Sequence, residues 1–147
     1  MQKTLIILKP DTVMRGLIGK IITRFEDKGF IFMGLKLIQV NRERAEALYS
    51  PHFGKAFYPP LIEYLTSGPV VVAVLAGEEV ISQVRNLMGK TNPQDAAPGS
   101  VRGDFGQRIE HNLIHGSDSP ESAESEIPIF FTFGELLDYS LPIEKWL

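Results

Sequence analysis

The chain contains no cysteine. Disulfides, thiolate nucleophiles and cysteine-type zinc sites are therefore excluded. It also lacks a long apolar run. The longest, Val70 to Ala76, is far too short to span a bilayer as a helix. The apolar segment after Met1 stops at Lys9-Pro10, too short for a secretory signal, so the folded domain is expected to begin almost at Met1. There is little excess of either charge: 15 Lys and Arg against 18 Asp and Glu leave a net charge of −3. That balance argues against nucleic acid as the main partner. No internal repeat and no low-complexity tail is visible. Histidine is rare too, with three in 147 residues.

What is present is an ordinary globular composition, 44% hydrophobic and 22% charged, in a length that suits one domain over residues 1–147. Thr4 to Leu8 reads as a buried strand ended by Lys9-Pro10-Asp11. Leu17, Ile18, Ile21, Ile22 and Phe25 recur at helical spacing over Gly16–Lys28, and Gly29 is placed as a left-handed C-cap. Phe30 to Val40 reads as a second strand. Asn41 caps a short helix carrying Ala45 and Leu48. Pro59-Pro60 opens another, with Leu61, Ile62 and Leu65 inward. Val70 to Leu75, apolar throughout, predicts a central third strand. Glu78-Glu79 open a helix whose inner face is Val80, Ile81, Val84, Leu87 and Met88, stopped by Gly89.

From Lys90 to Gly116 the periodicity mostly disappears. Ser119 caps a short helix through Glu126, Ile129 to Phe133 reads as the fourth strand, and Glu135 to Tyr139 as a helical turn. This order lacks strict strand–helix alternation. It predicts an α+β ferredoxin-like sandwich: a four-stranded antiparallel sheet with helices mainly on one face. A structureless stretch as long as Lys90–Gly116 counts against a compact domain unless it is functional.

Several motifs invite over-reading. Gly89-Lys90-Thr91 resembles the end of a P-loop, but the position five residues before that pair is Val84, and the segment follows a helix. Asp104-Phe105-Gly106 mimics a protein-kinase tripeptide without its partner loop. His111 and His115 have metal-ligand spacing but no evident third ligand. His115, Ser117 and Asp118 lie too close along the chain for a nucleophilic triad. Taken singly, His115 is a nucleophile, a ligand or a solvated side chain, and Arg85 and Arg102 read as solvated cations. Lys9, ending a buried strand, is harder to dismiss, although a snorkelling lysine is an alternative.

Together, Lys9-Pro10-Asp11, Arg15-Gly16-Leu17, Ser67-Gly68-Pro69, Thr91-Asn92-Pro93, Arg102-Gly103-Asp104-Phe105, Asn112 through Ser119 and Glu121-Ser122-Ala123 resemble the nucleoside diphosphate kinase family in order and spacing. The resemblance covers essentially the whole chain. It implies the same ferredoxin-like fold and ping-pong transfer of a γ-phosphoryl group from a nucleoside triphosphate to a nucleoside diphosphate, ATP + NDP to ADP + NTP. His115 would carry the phosphoryl group. Glu126 would hold the far ring nitrogen, Ser117 would stand beside it, and Tyr49 would lie close to the histidine. Arg85 and Thr91 match phosphate positions, and Arg102 matches the one at the transferred group. Lys9 and Asn112 match sugar-hydroxyl ligands, with Lys9 also near the phosphates. Phe57 and Ile109 match a clamp on the base, with Leu61 nearby, which implies broad base specificity.

The resemblance further implies Mg²⁺ carried on the nucleotide phosphates, touched at most by Asp118. It also implies a cytoplasmic homo-oligomer, tetramer or hexamer, built from dimers. Two departures stand out. Thr12 replaces a small residue, which predicts a slightly altered turn. Ala56-Phe57-Tyr58 replaces Pro-Phe-Phe, which predicts a looser helix on the nucleotide side. A catalytically silent scaffold on the same fold would be expected to lose the histidine or its phosphate ligands, and this chain keeps them all. A nucleic-acid-binding regulator is disfavoured by the acidic balance.

Overall fold

The computed structural model describes residues 1–147. Its centre is a four-stranded sheet in the order β2-β3-β1-β4, antiparallel throughout. The strands are β1 (Gln2–Leu8), β2 (Ile31–Gln39), β3 (Pro69–Gly77) and β4 (Ile114–Gly116). Seven helices accompany them: α1 (Pro10–Met14), α2 (Ile18–Asp27), α3 (Arg42–Leu48), α4 (Tyr58–Leu65), α5 (Val80–Met88), α6 (Val101–Phe105) and α7 (Pro120–Phe130). This is the expected α+β, ferredoxin-like arrangement: two β-α-β units, β1-α2-β2 and β3-α5-β4, interleave in one sheet.

Alternation along the two central strands decides the layers. Ile6 and Leu8 of β1 join Val71, Ala73 and Leu75 of β3 on one face, where Ile21 and Phe25 of α2 and Val80, Val84 and Met88 of α5 cover them. Leu5, Ile7, Val70, Val72 and Val74 face the other way. That second face is closed as well, by Leu48 of α3, Ile62 and Leu65 of α4, and Phe130 and Phe131 at the end of α7. The two ferredoxin-type helices share one face, and α3, α4 and the end of α7 cover the other. Central strands that are apolar on both sides require this, because neither face can be left in water.

Local chemistry sets most boundaries where expected. Gly29 ends α2 at φ +93°. The Asn41 carboxamide accepts from the Arg44 N–H at 2.8 Å, and the Ser119 hydroxyl accepts from the Ser122 N–H at 3.1 Å, capping α3 and α7. The Phe57 position precedes Pro59 and Pro60 in the first turn of α4, as the sequence predicts.

Three readings are corrected. Ile129–Phe133 is not the fourth strand. Helix α7 runs through Pro128 to Phe130, and the Phe131 N–H still bonds back to Ile127 at 3.0 Å. Of the β-like residues there, Phe130 and Phe131 are buried side chains at the helix end, while Thr132 and Phe133 are exposed beyond it. The true fourth strand is Ile114–Gly116, inside the stretch read as structureless. That stretch also contains α6 and a 3-10 turn at Pro93–Asp95. The helical turn after α7 is at Phe133–Glu135 rather than Glu135–Tyr139, and another 3-10 turn follows at Glu144–Trp146.

Replacing Phe25, which is fully buried beneath the sheet, with alanine is expected to cost about 3–5 kcal/mol of unfolding free energy. The shift in urea midpoint at constant slope measures it.

Candidate active site

The site is built around β4. His115 pairs with Ile7 and Ile114 with Leu8 at the end of β1. Just before β4 the chain makes a tight reversal. The Ile114 N–H bonds back to the Asn112 carbonyl at 2.9 Å, across Leu113 at φ +74°. This is a γ-turn of the rarer hand, strained for a branched residue by about 1–3 kcal/mol. The neighbours over-determine it. The Leu113 carbonyl accepts from the Lys9 N–H and from the Thr12 hydroxyl, both at 2.8 Å, and its N–H donates to Asp11 Oδ2 at 3.2 Å. Thr12, which stands in the segment after Lys9, is therefore one of the anchors of the Leu113 turn. The Tyr64 hydroxyl bonds the other oxygen of Asp11.

His115 is oriented by α7. Its Nε2 lies 2.9 Å from Glu126 Oε1. The same oxygen accepts from the Ser117 hydroxyl at 2.8 Å, and Ser117 Oγ accepts the Leu5 N–H at 3.2 Å. A carboxylate cannot donate, so Nε2 carries the proton, and in the neutral imidazole Nδ1 keeps its lone pair. Nδ1 has no protein partner. The imidazole is thus tied to the central strand through a fixed chain of hydrogen bonds with its nucleophilic nitrogen free.

Three cations gather nearby without a carboxylate partner. Lys9 Nζ donates to Asn112 Oδ1 at 2.9 Å, and the Asn112 amide donates to the Thr91 carbonyl at 3.1 Å. Arg102 spends Nε, Nη1 and Nη2 on the carbonyls of Asn112, Gly89 and Ile114, at 3.1, 3.1 and 2.6 Å. Of five guanidinium N–H groups, about two stay free for a ligand. Arg85 donates to the Gly116 carbonyl at 3.1 Å. Burial, and then the Arg102 charge, push the Lys9 ammonium down to about 8. Burial, and then the Arg85 charge, push Arg102 down to about 10. Each shift records a cation held away from water beside another cation, an arrangement that an anion would relieve.

These groups line one cleft of about 930 Å³. Lys9, Tyr49, Arg85, Thr91, Arg102, Asn112, His115, Asp118 and Glu126 all reach its wall, and so do Phe57, Leu61 and Ile109. Phe57 and Ile109 are each 48% exposed. The cleft therefore brings together a nucleophilic imidazole, a cationic patch and two uncovered apolar side chains. Of the residues singled out from sequence, Ser117 alone does not line it. It lies behind His115, fully buried.

The family model described as nucleoside diphosphate kinase matches residues 2–136. The chain is 52% identical to a nucleoside diphosphate kinase of Carboxydothermus hydrogenoformans, over 100% of this chain and 99% of the relative. It is 51% identical to one from Thermomicrobium roseum with the same coverage. The chain belongs to the nucleoside diphosphate kinase family. Among solved structures it superimposes with a TM-score of 0.96 on the Halobacterium salinarum nucleoside diphosphate kinase in complex with CDP, at 45% identity over 99% of this chain and 97% of that one. A nucleoside diphosphate kinase family protein from Babesia bovis also gives 0.96, at 37% identity and 99% coverage of both chains.

Compared with the expectations for a nucleoside diphosphate kinase, the alternative chemistries fall away. No group of three or more His, Asp or Glu is placed to hold a metal. His111 instead lies edge-on to Tyr64 at 5.4 Å. Ser117 donates to Glu126 rather than to His115, and Asp118 accepts from Ser122 at 2.6 Å, so no nucleophilic triad exists. That hydrogen bond is the main cause holding the Asp118 carboxyl below its usual range. A Cβ at Gly116 would meet Met88 Sδ at 2.5 Å, so β4 packs closely on α5 at this glycine.

Sequence reasoning missed His52, Tyr64 and Glu110 on the cleft wall, and it weighed His111 only as a metal ligand. None of the three carries a local signal, because the tertiary fold brings them there. Two buried polar atoms on this wall have no partner, Tyr49 Oη and His52 Nδ1.

The Lys9 shift has a consequence for stability. Its folded value near 8 lies below the ordinary 10.5, so between these values the unfolded chain binds more protons and stability rises with pH. Wild type is expected to gain stability relative to Lys9→Met as pH rises from 8 towards 10. Urea midpoints of both proteins at pH 7, 8.5 and 10 test this. A gap that stays constant would contradict it.

Proposed function

We propose that the chain, as the single domain of residues 1–147, catalyses γ-phosphoryl transfer from nucleoside triphosphates to nucleoside diphosphates by a ping-pong route through His115. The observation that carries this reading is the free Nδ1 of an imidazole whose Nε2–H is held by Glu126, beside three cations that lack a carboxylate partner. The Nδ1 lone pair attacks the γ-phosphorus. The bond to the β–γ bridging oxygen breaks, the nucleoside diphosphate leaves with that electron pair, and a phosphorylated imidazole remains. Its positive charge is offset by Glu126. A terminal oxygen of a second nucleoside diphosphate then attacks phosphorus, and the N–P bond breaks to restore His115.

The loose transition state spreads charge over the equatorial oxygens of the transferred group. Arg102, Arg85 and the Lys9 ammonium face that charge from fixed positions, so little reorganisation is needed as it develops. Thr91 and Arg85 are assigned to the phosphates, and Lys9 and Asn112 to the sugar hydroxyls. Phe57 and Ile109, with Leu61 beside them, are assigned to the faces of the base. The hydroxyl of Tyr49, unpartnered on the cleft wall, is assigned a phosphate oxygen as its partner. Contact with the ring faces tolerates any base, so broad base specificity is expected.

A protein site with a single carboxylate free of any cation at the phosphate end, Asp118, which accepts only from Ser122, suits Mg²⁺ that arrives on the nucleotide rather than a resident metal. Bound there, the ion would neutralise phosphate charge, with Asp118 as its protein contact. The proposed assembly is a homo-oligomer, tetramer or hexamer, in the cytoplasm. Supporting it, edge strand β2 leaves Leu35 and Leu37 exposed at 52% and 65%. The adjoining Thr132–Glu135 turn, joined to Lys36 through Glu135 at 3.1 Å, leaves Phe133 93% exposed.

Incubated with ATP and Mg²⁺, the protein is expected to acquire an acid-labile, base-stable phosphoryl group that GDP discharges as GTP. His115→Ala should not label, and labelling that survives this change would overturn the mechanism. Glu126→Ala should label but turn over roughly 10- to 100-fold more slowly, the range seen when an orienting partner behind a metal-bound histidine is lost. Steady-state rates with ATP and GDP measure this.

A further inference from the structure

Glu110 stands apart from the other acids of the cleft. Glu126 is committed to His115 and Ser117, and Asp118 to Ser122. Glu110 also lines the cleft, yet its carboxylate makes no hydrogen bond and no ion pair with the protein. It sits in the Arg108–His111 turn, which is closed by the His111 N–H on the Arg108 carbonyl at 3.2 Å. It directly follows Ile109, half of the pair of exposed apolar side chains assigned above to the base.

An anionic group in a cleft built for phosphates would be repulsive at the cationic end. Lys9, Arg85 and Arg102 occupy that end, and Glu110 belongs to the base end. The ring faces offer nothing for a carboxylate, whereas the base edges do. Guanine presents N1–H and the 2-amino group side by side, which a carboxylate accepts in parallel. Hypoxanthine keeps N1–H and loses the amino group. Uracil sets one N–H between two carbonyl oxygens, which repel an anion. Adenine offers its amino group beside an unprotonated ring nitrogen.

We propose that Glu110 is a specificity-determining residue that biases an otherwise base-tolerant clamp towards guanine nucleotides through the N1–H and 2-amino edge. The proposal rests on the assignment of Phe57 and Ile109 to the base.

The test compares GDP with IDP as phosphoryl acceptors from ATP, since the two differ only in the 2-amino group. Wild type is expected to favour GDP in kcat/KM by roughly three- to tenfold, the range of a charge-assisted hydrogen bond at an exposed rim. In Glu110→Ala the ratio should fall to about one. Glu110→Gln, which keeps one acceptor oxygen and loses the charge, should fall between. Because each ratio is taken within one protein, loss of folded enzyme cancels from it. A wild-type ratio of one, or a preference that survives in Glu110→Ala, overturns the role of Glu110. A wild-type protein that phosphorylates neither acceptor overturns the kinase reading instead.

Discussion

The site hangs from the pairing of β4, three residues long, with the end of β1. This ladder places His115 against the central strand of the sheet. The strained turn at Leu113 lets the chain deliver Asn112 to Lys9 on one side and His115 to Glu126 on the other. A branched residue at positive φ persists only where its surroundings leave no alternative. Here Asp11, Thr12 and the backbone of Lys9 supply that constraint, all from the segment that directly continues β1. Strand, turn and cation patch are therefore one mechanical unit, and a change in any of them displaces the others.

Burial explains why the unit is chemically useful. Lys9 and Arg102 are nearly inaccessible, and neither is neutralised by a carboxylate. Their donors are instead spent on an amide oxygen and on backbone carbonyls, which hold the charges in place without cancelling them. Such a cluster costs stability in the empty protein and is relieved by a polyanion. The energetic conflict is confined to the cleft, while the two hydrophobic layers behind the sheet are consistent throughout.

Much of this was legible in the chain. The apolar runs of β1 and β3, the 3.6-residue periods of α2 and α5, and the caps at Gly29, Asn41 and Ser119 rest on local chemistry and stand as read. The Lys9, Arg102, Asn112 and His115 motifs were identifiable because their residue types occur together in a characteristic order. The fourth strand was not legible. Three residues carry no period, and the decision to pair belongs to β1, more than a hundred positions away. The run after Pro128 looked more like a strand because β-branched and aromatic residues suit any buried surface, including the end of a helix.

The sequence by itself determined the element types of the longer segments and the inventory of groups able to handle phosphate, because both depend on residue chemistry and short-range spacing. Tertiary structure decided which nitrogen of His115 is free, since that follows from a carboxylate eleven residues further on being brought to 2.9 Å. It decided that the Thr12 hydroxyl holds the Leu113 carbonyl, 101 positions along the chain. It also placed Glu110, His52 and Tyr64 on the same wall as the motif residues, because only sheet closure and the folding of the Lys90–Gly116 segment bring distant side chains within reach of one ligand.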